Sequence, residues 1–192
     1  MVRSNRNYLI TSEKVLSLDE EANLRKLCSR HLKVAKDLRD ALMITMLLDL
    51  GVRAQELLNI RVGDFNPDTH AVFIRSLKGS NARELYLKPG VAAKFRTYVL
   101  ETFASEIYFH IESDRLVFDI SYHRLWQIWG IYTPNPRKTI HSTRHTFAIR
   151  LYERTKDIKL VQMCLGHRSI MSTMVYVDFW YSQNIIKITM TK

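Results

Sequence analysis

Ala71-Val72-Phe73-Ile74-Arg75-Ser76-Leu77-Lys78-Gly79-Ser80-Asn81-Ala82-Arg83-Glu84-Leu85-Tyr86-Leu87 alternates at period two on either side of a turn-rich tip. Val72 and Ile74 are the apolar positions before the tip, Leu85 and Leu87 those after it, and Lys78-Gly79-Ser80-Asn81-Ala82 lies between. The pattern predicts a β-hairpin with Lys78 at its rim. Outward from it the spacing turns helical. Ser17-Leu18-Asp19-Glu20 has the form of a capping box, followed by Leu24 and Leu27. Ala41, Leu42, Ile44, Thr45 and Leu48 make a largely buried helix stopped by Gly51, and Arg53 to Ile60 a short helix directly after it, so Arg53 sits where two helices meet. Val91 to Phe103, Tyr122 to Trp129 closed by Gly130, Thr143 to Arg154, and Ile158 to Leu165 before Gly166 also read as helices, with Ser169 capping a last one through Met174 and Tyr176. The expected class is α+β, mostly α-helical, with a small antiparallel sheet. Neither an internal repeat nor a Gly/Ser linker marks a second domain. One domain is expected over 17–180, after a basic lead-in over 1–16 and before a tail over 181–192 that needs a surface to pack on.

Composition narrows the function classes. The 192 residues are 46% hydrophobic and 10% aromatic, enough to bury a core, which excludes global disorder. Six Gly and four Pro exclude collagen-like chains. The longest apolar run, Ala41 to Leu50, is broken by Asp49 and falls short of the roughly 20 residues of a membrane span. Two cysteines, Cys28 and Cys164, point to a reducing, cytoplasmic compartment. Lys and Arg number 29 against 19 Asp and Glu, a net +10 that is spread along the chain. Such a field suits polyanions, nucleic acid before an anionic membrane, and composition alone leaves mere solubility charge as the open alternative.

No phosphate loop, dinucleotide fingerprint or nucleophile elbow is present. What remains are cations, imidazoles and tyrosines. His141-Ser142-Thr143-Arg144-His145 sets three such groups on one side of a helix entrance, Leu165-Gly166-His167 places an imidazole at a helix stop, and Tyr176 follows. Arg53 and Lys78 complete the set. His141, His145, Cys164 and His167 have the spacing of metal ligands, but Arg144 between the histidines works against a cation. A phosphodiester fits the same residues better, since it needs cations for nonbridging oxygens, a proton donor for a leaving alkoxide and a hydroxyl nucleophile.

The segments Leu50-Gly51-Val52-Arg53-Ala54-Gln55-Glu56-Leu57-Leu58, Lys78 to Leu87, His141-Ser142-Thr143-Arg144-His145-Thr146-Phe147-Ala148 and Leu165-Gly166-His167 through Tyr176 resemble, in order and spacing, the catalytic-domain motifs of tyrosine recombinases: phage integrases, Xer-type resolvases and fimbrial-switch invertases. The resemblance implies a site-specific DNA recombinase, with Tyr176 as the nucleophile that forms a 3′-phosphotyrosyl link and frees a 5′-hydroxyl. Arg53 and Arg144 would clamp the phosphate, Lys78 would protonate the leaving oxygen, His141 would assist the tyrosine proton and His167 would bond the phosphate. Glu56 and His145 would orient the arginines and close the pocket. Neither metal nor other cofactor is implied. The implied partners are double-stranded DNA, further copies of the chain (a dimer on each site, a tetramer in synapsis) and an accessory DNA-bending or directionality factor, with no membrane. Nucleoid association follows from the same resemblance, as does a tail donated to a neighbouring protomer.

Alternatives stay open within this reading. Tyr181 lies five residues beyond Tyr176, and Lys88 or Arg83 is near Lys78. Trp126 and Trp129 are expected in the core. Relatives of this type carry a helical core-binding domain ahead of the catalytic one, whereas only the lead-in precedes Ser17, so a compact recombinase and a catalytic fragment are both compatible. A type IB topoisomerase and a non-catalytic basic DNA-binding module are the rival functions.

Overall fold

The computed structural model describes residues 9–77, 79–108 and 114–190. Helix α1 (Leu18–His31) opens with the expected capping box, Ser17 Oγ accepting from the Glu20 N–H at 3.1 Å and Glu20 Oε2 from the Ser17 N–H at 2.9 Å. Helix α2 (Leu38–Leu50) is buried on nearly every face, and Gly51 ends it in the left-handed region at φ 61°. Only glycine fits there: a Cβ would lie 2.2 Å from the Phe147 ring. The chain turns at once into α3 (Ala54–Leu58). Strands β1 (Phe65–Asn66), β2 (Ala71–Ile74) and β3 (Arg83–Tyr86) form an antiparallel sheet in the order β1-β2-β3. Ile74 faces Arg83 and Val72 faces Leu85, the register the alternation predicts. Strand β1 is too short to show a period of its own.

Helix α4 (Pro89–Tyr108) bends at Phe103, α5 (Tyr122–Tyr132) caps on Ser121, and α6 (Ile140–Thr155), α7 (Ile158–Leu165) and α8 (Met171–Tyr181) complete the body. Gly130 does not close α5, because Tyr132, two residues further, is buried and hydrogen-bonded to His31 at 2.7 Å. Trp129 is core as expected, but Trp126 is 58% exposed. The Ser169 hydroxyl bonds the Met171 N–H at 3.3 Å while the helix itself starts two residues later. After α8 a π-type turn (Ser182–Ile186) leads to α9 (Lys187–Met190), so the tail is helical despite its alternation.

Order begins before the capping box. Ile10, Val15 and Leu16 are buried, and the ammonium of Lys138 donates to the carbonyls of Ser12, Glu13 and Val15 at 2.8 to 3.1 Å. An enclosed cation needs such acceptors, and this one clasps the lead-in to the start of α6.

Two apolar clusters result. One joins α1 to α5 and the sheet; the other joins Ile10 and Val15 to α6, α7 and α8 and includes Tyr176. Helices α2 and α6 pack together across the boundary. The chemically active side chains lie along that seam.

Candidate active site

Arg53 stands at the N-terminus of α3. Its backbone N–H donates to Glu56 Oε2 at 2.9 Å and its Nη1 to Glu56 Oε1 at 3.0 Å. Glu56 is 2% exposed. Burial alone would raise its pKa, but Arg83, then Arg53 and Arg144, bring the carboxyl down to about 2, so it is a fixed anion. Arg144, on α6, is 1% exposed and donates to two backbone carbonyls, Gly51 at 2.7 Å and Leu165 at 2.8 Å. These are the residues at the ends of α2 and α7, so the guanidinium pins both helix stops to one point. Burial, then Arg53, lowers the Arg144 pKa to about 10, which leaves it charged at neutral pH.

The imidazoles follow from helix geometry. His141 and His145, four apart on α6, stack ring edge to ring face with centroids 4.5 Å apart. His141 is at the exposed rim. His145 is buried, and its Nδ1 lies 3.1 Å from the Tyr176 hydroxyl. Of the two imidazoles it is His145 that touches the tyrosine hydroxyl: one helical turn carries it inward to α8 and leaves His141, in contact with its ring, at the edge. His167 follows Gly166, which ends α7 at φ 69°, and its Nδ1 is hydrogen-bonded to Thr173 Oγ1 at 2.9 Å. Burial first, then the cationic surroundings, lowers His145 to about 3 and His167 to about 3, so both are neutral at pH 7. The weaker downward push on His141 comes from desolvation of its inner side, then Arg144 and Arg53.

Arg53, Glu56, His141, Arg144, His145, His167 and Tyr176 are thus brought to one seam. Tyr176 is 3% exposed, whereas Tyr181 is 47% exposed and packs on Trp180. Lys78 lies outside the described residues; Gly79 beside it takes φ 86° at the tip. Among the described residues no three of the His, Cys, Asp and Glu side chains converge on a point where an ion would be held, so the ligand spacing of His141, His145, Cys164 and His167 does not become a cluster.

Sequence reasoning named Arg83 only as an alternative to Lys78 and missed its place beside Glu56. Its Nη2 donates to Glu56 Oε2 at 2.9 Å and its Nε to the Cys164 carbonyl at 2.6 Å. A signal was present: Arg83 shares the parity of Leu85 and Leu87, so the alternation places a cation on the buried face of the strand. Thr173, the partner of His167, had no such signal.

The sequence matches the phage integrase family over residues 14–182. The chain belongs to that family. Within it, the chain is 30% identical over 175 residues to the tyrosine recombinase XerA of Pyrococcus furiosus, covering 89% of this chain and 60% of that protein. It is 33% identical over 150 residues to a tyrosine recombinase of Pseudothermotoga lettingae, covering 74% and 50%. The chain therefore spans half to three fifths of the length of these relatives. Among solved structures, the fold resembles the XerH recombinase bound to difH substrate in a pre-cleavage complex, at TM-score 0.65, 23% identity, 90% of this chain and 53% of that one. It also resembles the catalytic domain of bacteriophage HP1 integrase, at TM-score 0.60 and 17% identity, covering 92% and 96%. The α+β fold, mostly helical with a small sheet, is that of the catalytic domain of the tyrosine recombinases in this family.

Proposed function

We propose that the chain cleaves and rejoins duplex DNA at specific sites through a 3′-phosphotyrosyl intermediate on Tyr176. The observation that carries this reading is the contact between the Tyr176 hydroxyl and the neutral imidazole of His145, 3.1 Å apart, on the seam that also holds Arg53 and Arg144. Family membership supports it, as do XerH with difH substrate and the Tn1549 integrase with transposon right end DNA, each of which is a DNA complex of a related fold.

The residues suit in-line phosphoryl transfer. The tyrosine oxygen attacks phosphorus, the O–P bond forms, and the bond to the 5′-oxygen breaks. Charge accumulates on the nonbridging oxygens, and two guanidiniums offset it as a metal ion does elsewhere. Arg53, whose side chain is 34% exposed, meets the phosphate from the open side, while Arg144 acts from within. His145 accepts the hydrogen bond of the phenol and orients it, but an imidazole with a pKa of about 3 holds the proton poorly, so the rim residue His141 passes it to solvent. His167, kept neutral, donates a hydrogen bond to the phosphate and is aimed by Thr173. Lys78, which the sequence sets between β2 and β3, protonates the departing 5′-oxygen. The phosphotyrosine keeps the bond energy, so the reverse attack by a 5′-hydroxyl rejoins the strand without a nucleotide. Exchange between two sites requires paired protomers, hence a dimer on each site and a tetramer in synapsis.

The test is to trap the adduct on nicked suicide duplexes taken from DNA flanking the gene. The chain should give an SDS-resistant protein–DNA species that Tyr176→Phe abolishes and Tyr181→Phe retains. Adduct persisting in Tyr176→Phe, or its absence with the unsubstituted chain on every such duplex, overturns the reading. Relaxation of supercoils by a monomer without exchange between sites would favour a topoisomerase instead.

A further inference from the structure

Arg83 is a nearly buried cation to which the cleavage steps above give no part: its side chain is 7% exposed. Its guanidinium is planar, and four acceptors lie around it: both oxygens of Glu56, at 2.9 and 3.4 Å, the Cys164 carbonyl at 2.6 Å and the Asn81 carbonyl at 3.4 Å. A lysine ammonium has no such fork. We infer that Arg83 is a positioning residue for strand cleavage, tying the seating of the β-hairpin to the charge that Arg53 and Arg144 present to the scissile phosphate. This rests on the cleavage reading above.

The electrostatic part of the argument starts from Glu56. Its carboxylate holds Arg53 in place but also cancels one positive charge beside the phosphate site. Three guanidiniums around one carboxylate leave a net +2; without Arg83 the cluster falls to +1. Arg144 Nη1 stays 3.7 Å from Glu56 because that nitrogen is committed to Gly51. With Arg83 removed, the carboxylate would have unmet lone pairs in a buried place and would draw both remaining arginines inward.

The mechanical part concerns the hairpin. Arg83 is the first residue of β3, five positions from Lys78. The strand is fastened to the end of α7 by the Asn81 N–H donating to the Gly166 carbonyl at 2.8 Å, and by a bridge between Ser80 and His167. Glycine is required at 166, since a Cβ would stand 2.6 Å from Arg83 Nη1 and 2.8 Å from the Asn81 oxygen. A hairpin lifted from α7 takes Arg83 away from Glu56, so the loop bearing Lys78 and the field of the arginine pair change together.

The experiment measures single-turnover cleavage of the nicked suicide duplex by the full chain, with DNA affinity measured separately. Arg83→Met should cleave at least tenfold more slowly while binding within threefold of the unsubstituted chain. Arg83→Lys keeps the charge and loses the fork, and should fall between them at an unchanged melting temperature. The double variant Arg83→Met, Glu56→Gln returns the cluster to +2 and should cleave faster than Arg83→Met alone even when the two are compared at equal distance below their melting temperatures, whereas a merely structural role would restore the melting temperature and leave that corrected rate unchanged. Unchanged cleavage in Arg83→Met, or a double variant no faster than Arg83→Met in that comparison, overturns the inference. Should Arg83→Met fail to fold, Arg83→Lys decides, and a rate equal to that of the unsubstituted chain refutes the role. No adduct from the unsubstituted chain overturns the cleavage reading and this role with it; an adduct with Arg83 dispensable overturns this role alone.

Discussion

Nδ1 of His145 and the hydroxyl of Tyr176 are 3.1 Å apart and both residues are buried, although they lie on different helices, α6 and α8. The nucleophile proposed for the chain is thus held closed by an imidazole rather than presented to solvent. The residue that meets the phenol first is His145. His145→Ala should lower the single-turnover cleavage rate by about a hundredfold through loss of the group that orients the phenol, and His141→Ala by less, since water can take over the proton that the rim imidazole passes on. A chain cleaving normally with His145→Ala but not with His141→Ala would return the tyrosine to His141.

Acid should loosen this site before the rest of the fold. His145 and His167 have folded-state pKa values of about 3, below the 6.5 of an exposed imidazole, so the unfolded state binds more protons between those values. Their contribution is fully present above pH 6.5 and is lost as pH falls towards 3, at up to about 1.4 kcal/mol per pH unit for each histidine. Glu56, held near 2, acts in the same direction below its ordinary 4.5. Urea unfolding at pH 7 and pH 5 should show the decline, and His167→Gln should flatten it. A pH-independent midpoint over that interval would contradict the neutral assignment.

The stop of α2 carries more weight than its size suggests. Gly51→Ala puts a Cβ at positive φ and against the Phe147 ring at 2.2 Å. Left-handed strain of about 1 kcal/mol and overpacking of about 1–3 kcal/mol together predict a loss of about 2–4 kcal/mol. Gly90→Ala, with open space around it, should cost nothing. Thermal unfolding compares the two, and equal melting temperatures would show that the seam tolerates a shifted Phe147.

Which parts of this molecule were legible in the sequence follows from where the information is local. The capping box at Ser17, the helix stops at Gly51 and Gly166 and the hairpin register are fixed by neighbours a few residues away, and each stands where the pattern put it. Gly130 misled because the burial of Tyr132 comes from α1, outside any local window. The packing of the lead-in had no local signal either: Ile10 and Val15 have no periodicity, and the segment is clasped at Ser12, Glu13 and Val15 by Lys138, well over a hundred residues distant. In the site, residue types at motif spacing located the seam. They could not show that Arg144 spends two nitrogens on backbone carbonyls or that His145 turns inward, since both depend on how α2, α6, α7 and α8 meet.

The two arginines of the proposed clamp should part company when each is replaced. Arg53 has a 34% exposed side chain that, among the described residues, bonds with Glu56, through a contact that its backbone N–H partly duplicates. Arg53→Gln should therefore leave the melting temperature within a few degrees while removing one phosphate contact, which reduces the slope of log affinity against log salt by about one. Arg144 is enclosed, and its two Nη groups satisfy the carbonyls that end α2 and α7. Arg144→Gln leaves those acceptors buried without a charged donor, at a cost of about 3 kcal/mol or more, so the variant should melt earlier as well as lose cleavage. Fluorescence anisotropy on a short duplex between 50 and 200 mM salt (about the range in which counterion release is readily resolved), alongside thermal melts, separates the two. An unchanged salt slope in Arg53→Gln would mean that this arginine does not reach the DNA backbone, and the phosphate would then have to be met from the Arg144 side alone.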